Sequence, residues 1–266
     1  MQTLNNVLKE HGYNPVALPK ADIAPLQLLV KEGDHVSALE SDLTAMFPPE
    51  NSAPPTIVKN VAAADIKGSL AVTYDIASGV TVLDWLLTKF NLGKLEGKME
   101  FDGNKMLIIT YTHIKEDKVS SLELDRYLTS EAPNIAAFGT YGEKLMKSDL
   151  YVIDAVLKSN TFNITVTDNA GANVALDTIV KGWASANANV NYNNDHSLSI
   201  SSNGSKPLIF AIKGKQIIYK KPGLWDQLSG KPGAFTIKKM DGLQMKDESD
   251  YPAVALETAA YGTVAL

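Results

Sequence analysis

Apolar and polar residues alternate with period two through much of the second half of the chain. In "NTFNITVTD", Phe162, Ile164 and Val166 alternate with Asn163, Thr165 and Thr167, and "ANANVNYNN" and "HSLSISSN" repeat the pattern with Asn and Ser as the polar partners. Such alternation sets one face of a strand against a core and the other toward water, as in an antiparallel sheet. It is equally what a membrane β-hairpin requires, with strands of ~9–11 residues. "KPLIFAIKGKQIIYKK" follows as a strand with a basic end, while "VALDTIVKGWASA" fits either a short helix or a buried strand. In the first half, "GSLAVTYDIASGVTVLDWLL" and "KMLIITYTHI" read as strands around the glycine- and charge-rich turn "GKLEGKMEFDGNK".

Helical spacing is clearest in two places. Leu4, Val7 and Leu8 form a short N-terminal helix with Gly12 as the residue after it. Residues 122 to 147 hold two helical stretches parted at Pro133. Between them, Pro15, Pro19 and Pro25 each force extended backbone on the residue before, so residues 13–34 are strand and loop. "FPPENSAPP", residues 47–55, is the clearest linker, with four prolines in nine residues.

The chain of 266 residues, 45% of them hydrophobic, is large enough to bury a substantial core. Its first residues lack a basic stretch followed by an apolar one, and no segment approaches the ~18 apolar residues of a membrane-spanning helix. The expectation is a chain made and kept in the cytoplasm. With no cysteine, it has no disulfide and no thiolate chemistry. The net charge of −5 is uneven: the residues from Met240 onward hold one Lys against five acids, a net −4. Residues 202–239 carry eight Lys against Asp226 alone, a net +7. The final sixteen residues, "YPAVALETAAYGTVAL", carry one charge, Glu257, and end in large apolar side chains. A basic segment is thus followed by an acidic one and then by an apolar tail.

Signs of catalysis are missing. There is no nucleophile elbow, no His-Glu-x-x-His, and no dinucleotide fingerprint. The four histidines, His11, His35, His113 and His196, lie far apart. Asp195, His196 and Ser197 are adjacent, and neighbours on a strand face opposite ways, so they are not expected to form a triad. No cofactor or metal is implied. Nucleic acid is disfavoured because acids flank the basic segment and no binding motif accompanies it.

Two stretches resemble bacterial gasdermins. "LKEHGYNPVALPKADIAPLQLLVKEGD" is similar to their opening, and "KPLIFAIKGKQIIY" to a strand near the end of their pore-forming domain. The resemblance implies an α+β fold, a twisted antiparallel central sheet with surrounding helices like the gasdermin N-domain. It implies residues 1–239 as the pore-forming domain, 240–250 as a protease-sensitive linker and 251–266 as an autoinhibitory tail. Tyr251, Val254, Leu256, Tyr261, Val264 and Leu266 would anchor that tail, in part against the N-terminal helix at Leu4, Val7 and Leu8. An activating protease would cut near Lys238, Lys239, Gly242 or Lys246. Lys206, Lys213, Lys215, Lys220 and Lys221 would then bind anionic membrane lipids. The monomer would assemble with itself into a large pore in the bacterial inner membrane, with hairpins from about residues 56–115 and 148–219, killing the cell as a defence against phage. Bacterial gasdermins often carry a lipidated Cys near the start; this chain has none, so that modification is not implied. The alternative is a soluble β-rich module that binds carbohydrate or peptide.

Overall fold

The computed structural model of the chain describes residues 8, 10–32, 35–63, 70–89, 105–168, 170, 172–173, 184, 189–201, 207–221, 233–239 and 244–245. Within them the alternating runs become strands. These are β1 (Asn14–Lys20), β2 (Gln27–Glu32), β3 (His35–Asp42), β4 (Ile57–Ala62), β5 (Leu70–Asp75), β6 (Met106–Thr112) and β7 (Lys115–Val119). There follow β8 (Leu150–Ser159), β9 (Thr161–Thr167), β10 (Val190–Tyr192), β11 (Leu198–Ser201), β12 (Leu208–Lys220), β13 (Ala234–Lys239) and β14 (Gln244–Met245). The helices are α1 (Leu43–Met46), α2 (Ile76–Lys89), α3 (Ser121–Ser130), α4 (Ile135–Phe138) and α5 (Thr140–Met146).

The strands form two sheets. In the larger one, pairings run β1 to β12, β12 to β8, β8 to β2, β2 to β3, β3 to β14 and β14 back to β1, which closes a ring. Val16, Leu29, Val36, Tyr151, Ile153, Ile209 and Ile212, from five of those strands, are buried in one apolar cluster that fills the ring. The ring closes through two residues alone: Met245 lies opposite both Val16 and Val36, and Gln244 opposite His35, in parallel pairings. The smaller sheet has the order β10-β11-β9-β6-β5. The sheets share a bent two-stranded ribbon. β6 continues into β7 through His113, whose φ is 52°, and β8 continues into β9 through Asn160. Thr112 pairs with Thr161 on one side of the bend and Lys115 with Lys158 on the other.

The N-terminal region ends as its sequence foretells. Gly12 adopts φ +77°, a conformation that L side chains rarely take, so the backbone there calls for glycine. Leu8 is fully buried; Leu4 and Val7 lie outside the described residues.

Two expectations need correction. "SGVTVLDWLL" is not a strand: α2 runs over Ile76–Lys89 and buries Val82, Leu83, Leu86 and Leu87, whose spacing is helical. Its β-branched residues favoured the strand reading, and packing on the small sheet overrides that preference. The proline-rich segment 47–55 is likewise no free linker. The buried Glu131 carboxylate, just past α3, accepts hydrogen bonds from the N–H groups of Glu50 (2.9 Å), Asn51 (3.0 Å) and Ser52 (2.5 Å), and from the Ser52 hydroxyl (2.6 Å). Tyr127 ties the same loop to α3 by donating its hydroxyl to the Phe47 carbonyl, and burial, with Glu131 and Asp42 nearby, raises that phenol to about 12.

Burial opposes ionisation of Glu131, yet the Ser52 side chain and the three backbone donors outweigh it and bring the carboxyl down to about 2. A carboxyl titrating lower in the fold than in the open chain adds stability that is complete above its open-chain value near 4.5 and fades as pH falls through about 2. Glu131→Gln, which turns an amide toward those donors, should therefore be less stable than the parent at pH 7. The two should converge between about pH 4.5 and 2 in stepped-pH urea unfolding. A constant difference across that window would show that the carboxylate does not set the acid limb.

Candidate membrane-inserting sheet

Strand registers of the small sheet sort its residues into two faces. One inner row is Tyr111, Phe162, Ile200 and Val190; the next is Ile109, Ile164, Leu198 and Tyr192; Leu107 and Val166 form a third. All but the half-buried Tyr192 are buried, in one cluster with Val82, Leu83, Leu86 and Leu87 of α2, and with Leu8 and Phe210. Tyr111 stacks on Phe210 at 4.5 Å between ring centres. Burying one such aliphatic side chain is worth about 1.5–3 kcal/mol. Lifting α2 off in water would thus cost on the order of 6–12 kcal/mol, comparable to the whole stability of a domain at about 5–15. The helix can leave only where another apolar phase takes its place. No described helix is long and apolar enough to cross a membrane.

The opposite face is polar. Thr110, Asn163, Ser199 and Asn191 form one row across four strands, and Thr112, Thr161 and Ser201 the row beside it. Ser199 donates to Asn163 Oδ1 at 2.8 Å and Asn193 Nδ2 donates to Ser199 at 2.9 Å, so the row is laced by side-chain hydrogen bonds.

The ribbon changes character at its bend. On the ring side, Tyr13 donates to Glu116, Lys118 pairs with Glu116 at 2.7 Å, and Lys158 pairs with Asp117 at 2.5 Å. Lys215 reaches Asp154 at 3.5 Å with only 18% of its side chain exposed, and Lys213 Nζ sits 4.4 Å over the Tyr13 ring. Across the bend, β6 and β9 contain no Asp, Glu, Lys, Arg or His.

The residues singled out in the sequence are divided accordingly. Lys213 and Lys215 are half-buried and engaged within the fold, whereas Lys220, Lys221, Lys238 and Lys239 are exposed. Lys239 stands opposite Lys215 in the β12–β13 pair. Lys206, Gly242, Lys246 and the six tail anchors lie outside the described residues. Leu8 is the one predicted tail contact that is described, and it joins the core beneath α2. Asp195, His196 and Ser197 occupy a hairpin turn rather than a strand, with His196 at φ 65°. Ser197 donates to Asp195 at 2.6 Å, while His196 Nδ1 meets the Tyr192 hydroxyl at 2.8 Å, so the imidazole is joined to Tyr192 and not to the serine. The chemistry that sequence reasoning missed is the ring-side ion pairs: Glu116, Asp117, Asp154 and Lys158 carry no local signature, and except for Lys118 beside Glu116 their ion-pair partners are remote in the chain.

The fold and these faces have known counterparts. The model of the Bacterial Gasdermin Family matches residues 16–231. Gasdermin bGSDM of Gillisia limnaea is 37% identical over 256 residues, which is 96% of this chain and 96% of its own. A gasdermin bGSDM from an unknown prokaryotic organism is 28% identical with the same coverage, 96% of each chain. The solved structure of a bacterial gasdermin from Bradyrhizobium tropiciagri superposes with a TM-score of 0.52 at 14% identity, covering 91% of this chain and 96% of that one. A family match over most of the chain, a relative alike from end to end and a shared α+β architecture lead to one conclusion: this chain belongs to the bacterial gasdermin family.

Proposed function

We propose that this chain is an autoinhibited pore-forming protein, switched on when a protease removes its C-terminal segment. One observation carries the reading: the small sheet is built wholly from residues 56–115 and 148–219, and its apolar face is kept from water by a helix with strand-like sequence. A segment whose local preference disagrees with its folded state is a candidate for refolding. β6 and β9 have seven residues each, short of the ~9–11 a membrane strand needs, so α2 and the segments beside these strands supply the extra length. Residues 1–239 form the pore-forming domain, 240–250 the region that is cut and 251–266 the inhibitory tail. The tail is held mainly by its tether, which supplies an effective concentration of order mM, so cutting lets it diffuse away. The exposed Lys220, Lys221, Lys238 and Lys239 then meet anionic lipid, each worth about 1 kcal/mol near the surface. The freed chains assemble with one another in the bacterial inner membrane and end the life of the infected cell. Nothing in this reading requires catalysis by the chain.

Full-length protein should leave anionic liposomes intact, and protein carrying an engineered protease site between residues 238 and 250 should release trapped dye once cut. Intact vesicles after cleavage at several positions in that window would refute the reading.

A further inference from the structure

The polar face of the small sheet carries a second message, in what it omits. Across the rows from Thr112–Thr161–Ser201 through Ala71–Thr110–Asn163–Ser199–Asn191 to Thr73–Ile108–Thr165, the side chains are hydroxyls, amides, one alanine and one isoleucine. Among the described, paired residues of this face the first ionisable one is Asp75, opposite Met106 at the end of β5. We infer that the open pore has a neutral wall at the level of these strands, passing small ions and solutes of either sign alike. This rests on the pore reading above. Antiparallel pairing keeps each residue on its face unless the register slips by one, and a slip would turn the Tyr111, Ile109 and Leu107 rows toward water. Lipid takes the apolar rows when α2 leaves, and the Thr, Asn and Ser rows are left facing the aqueous lumen. Hydroxyls and amides hydrogen-bond to water without adding net charge, so ions beside this belt meet none of the fixed field that a ring of carboxylates or ammonium groups would impose.

The absence of native cysteine makes the wall directly readable. Single cysteines at Thr110, Asn163 and Ser199, and for the other face at Ile109, Ile164 and Val166, are introduced into the cleavable chain. After cutting on liposomes, each is labelled with membrane-impermeant thiosulfonates, one cationic and one anionic. Thr110→Cys, Asn163→Cys and Ser199→Cys should react with both reagents at rates within about threefold of each other, since a charged wall of several kT would separate them by about tenfold or more. The inner-face cysteines should stay unlabelled. Labelling of Ile109→Cys, Ile164→Cys and Val166→Cys as fast as the outer three would overturn the face assignment, and a tenfold preference for one sign of reagent would overturn the neutral wall. Dye release from vesicles treated with the cut, cysteine-free parent is read in parallel. If it is absent, the pore reading itself falls; if it is present beside either adverse labelling result, only the wall assignment does.

Discussion

Met245→Pro is expected to open the strand ring and to make the uncut protein leak. Met245 stands between Val16 on β1 and Val36 on β3, and no other described strand joins those two. Proline has no N–H to donate and is confined to sheet edges, whereas β14 has a neighbour on each side. The loss leaves a backbone group on β1 or β3, where Val16 and Val36 are buried, without its partner, worth about 1–3 kcal/mol. The effect should be local first. Amides of β1 and β3 should exchange faster with deuterium, while β6, β9 and β11 in the small sheet keep their protection. On the autoinhibition proposed above, β14 precedes the inhibitory tail by only a few residues, so freeing it should also loosen the tail's hold. Dye release by the uncut variant, with faster exchange confined to the ring, would tie ring closure to inhibition. Unchanged melting and unchanged exchange at β1 and β3 would show that β14 closes nothing of consequence. Leu243→Pro, just outside the strand, is the comparison that separates ring opening from a general effect of proline near the linker.

How far the sequence could be read depended on whether the information was local. β9 and β11 were legible because every second residue is apolar and every one of those apolar residues is buried, on one face. β7, "KEDKV", was invisible to the same test: it buries Glu116 and Asp117, and Tyr13 and Lys118 on the one and Lys158 and the Asn60 N–H on the other make that burial tolerable. Composition named 47–55 a linker because prolines break regular structure, but whether a loop is loose depends on partners, and here the partner is Glu131, about eighty residues away. In α2 the β-branched residues favour a strand, while the spacing of the buried Val82, Leu83, Leu86 and Leu87 favours the helix that forms. The charge count grouped all the lysines of 202–239, yet it could not tell the half-buried Lys213 and Lys215 from the exposed Lys220 and Lys221, a difference set by Tyr13 and Asp154. A two-residue strand such as β14 has no period at all. Its existence is a property of the gap between β1 and β3.

The second large effect is expected at Asp154 and Lys215. Asp154 is 4% exposed on β8, and its closest cation is Lys215 at 3.5 Å, on β12. Removing one member of a buried pair strands the other charge, typically at a cost of 3–5 kcal/mol, while replacing both with apolar residues of similar volume is often neutral or stabilising by ~1–4. Lys215→Met should therefore destabilise the folded chain by about 3–5 kcal/mol, and adding Asp154→Leu should restore it to the parent level or above. Urea unfolding of the two single variants and the double gives the coupling directly, and additive losses would show that the pair does not act as a unit. If apolar residues serve stability as well or better, the pair must be kept for something else. Its position suggests what. Asp154, Lys158, Glu116 and Asp117 all lie on the ring side of the bend at His113 and Asn160, and β6 and β9 beyond it are free of such charges. A lysine on the lipid face of a membrane strand costs about 2–4 kcal/mol at mid-depth. If the chain forms the proposed pore, the ion pairs make the ring side of the ribbon expensive to insert and leave the small-sheet side free to do so. The stabilised double variant should accordingly show lipid-quenched fluorescence, from a probe placed at residue 156, that the parent lacks after cutting. A probe that stays unquenched in both would assign the boundary to the bend alone rather than to the charges.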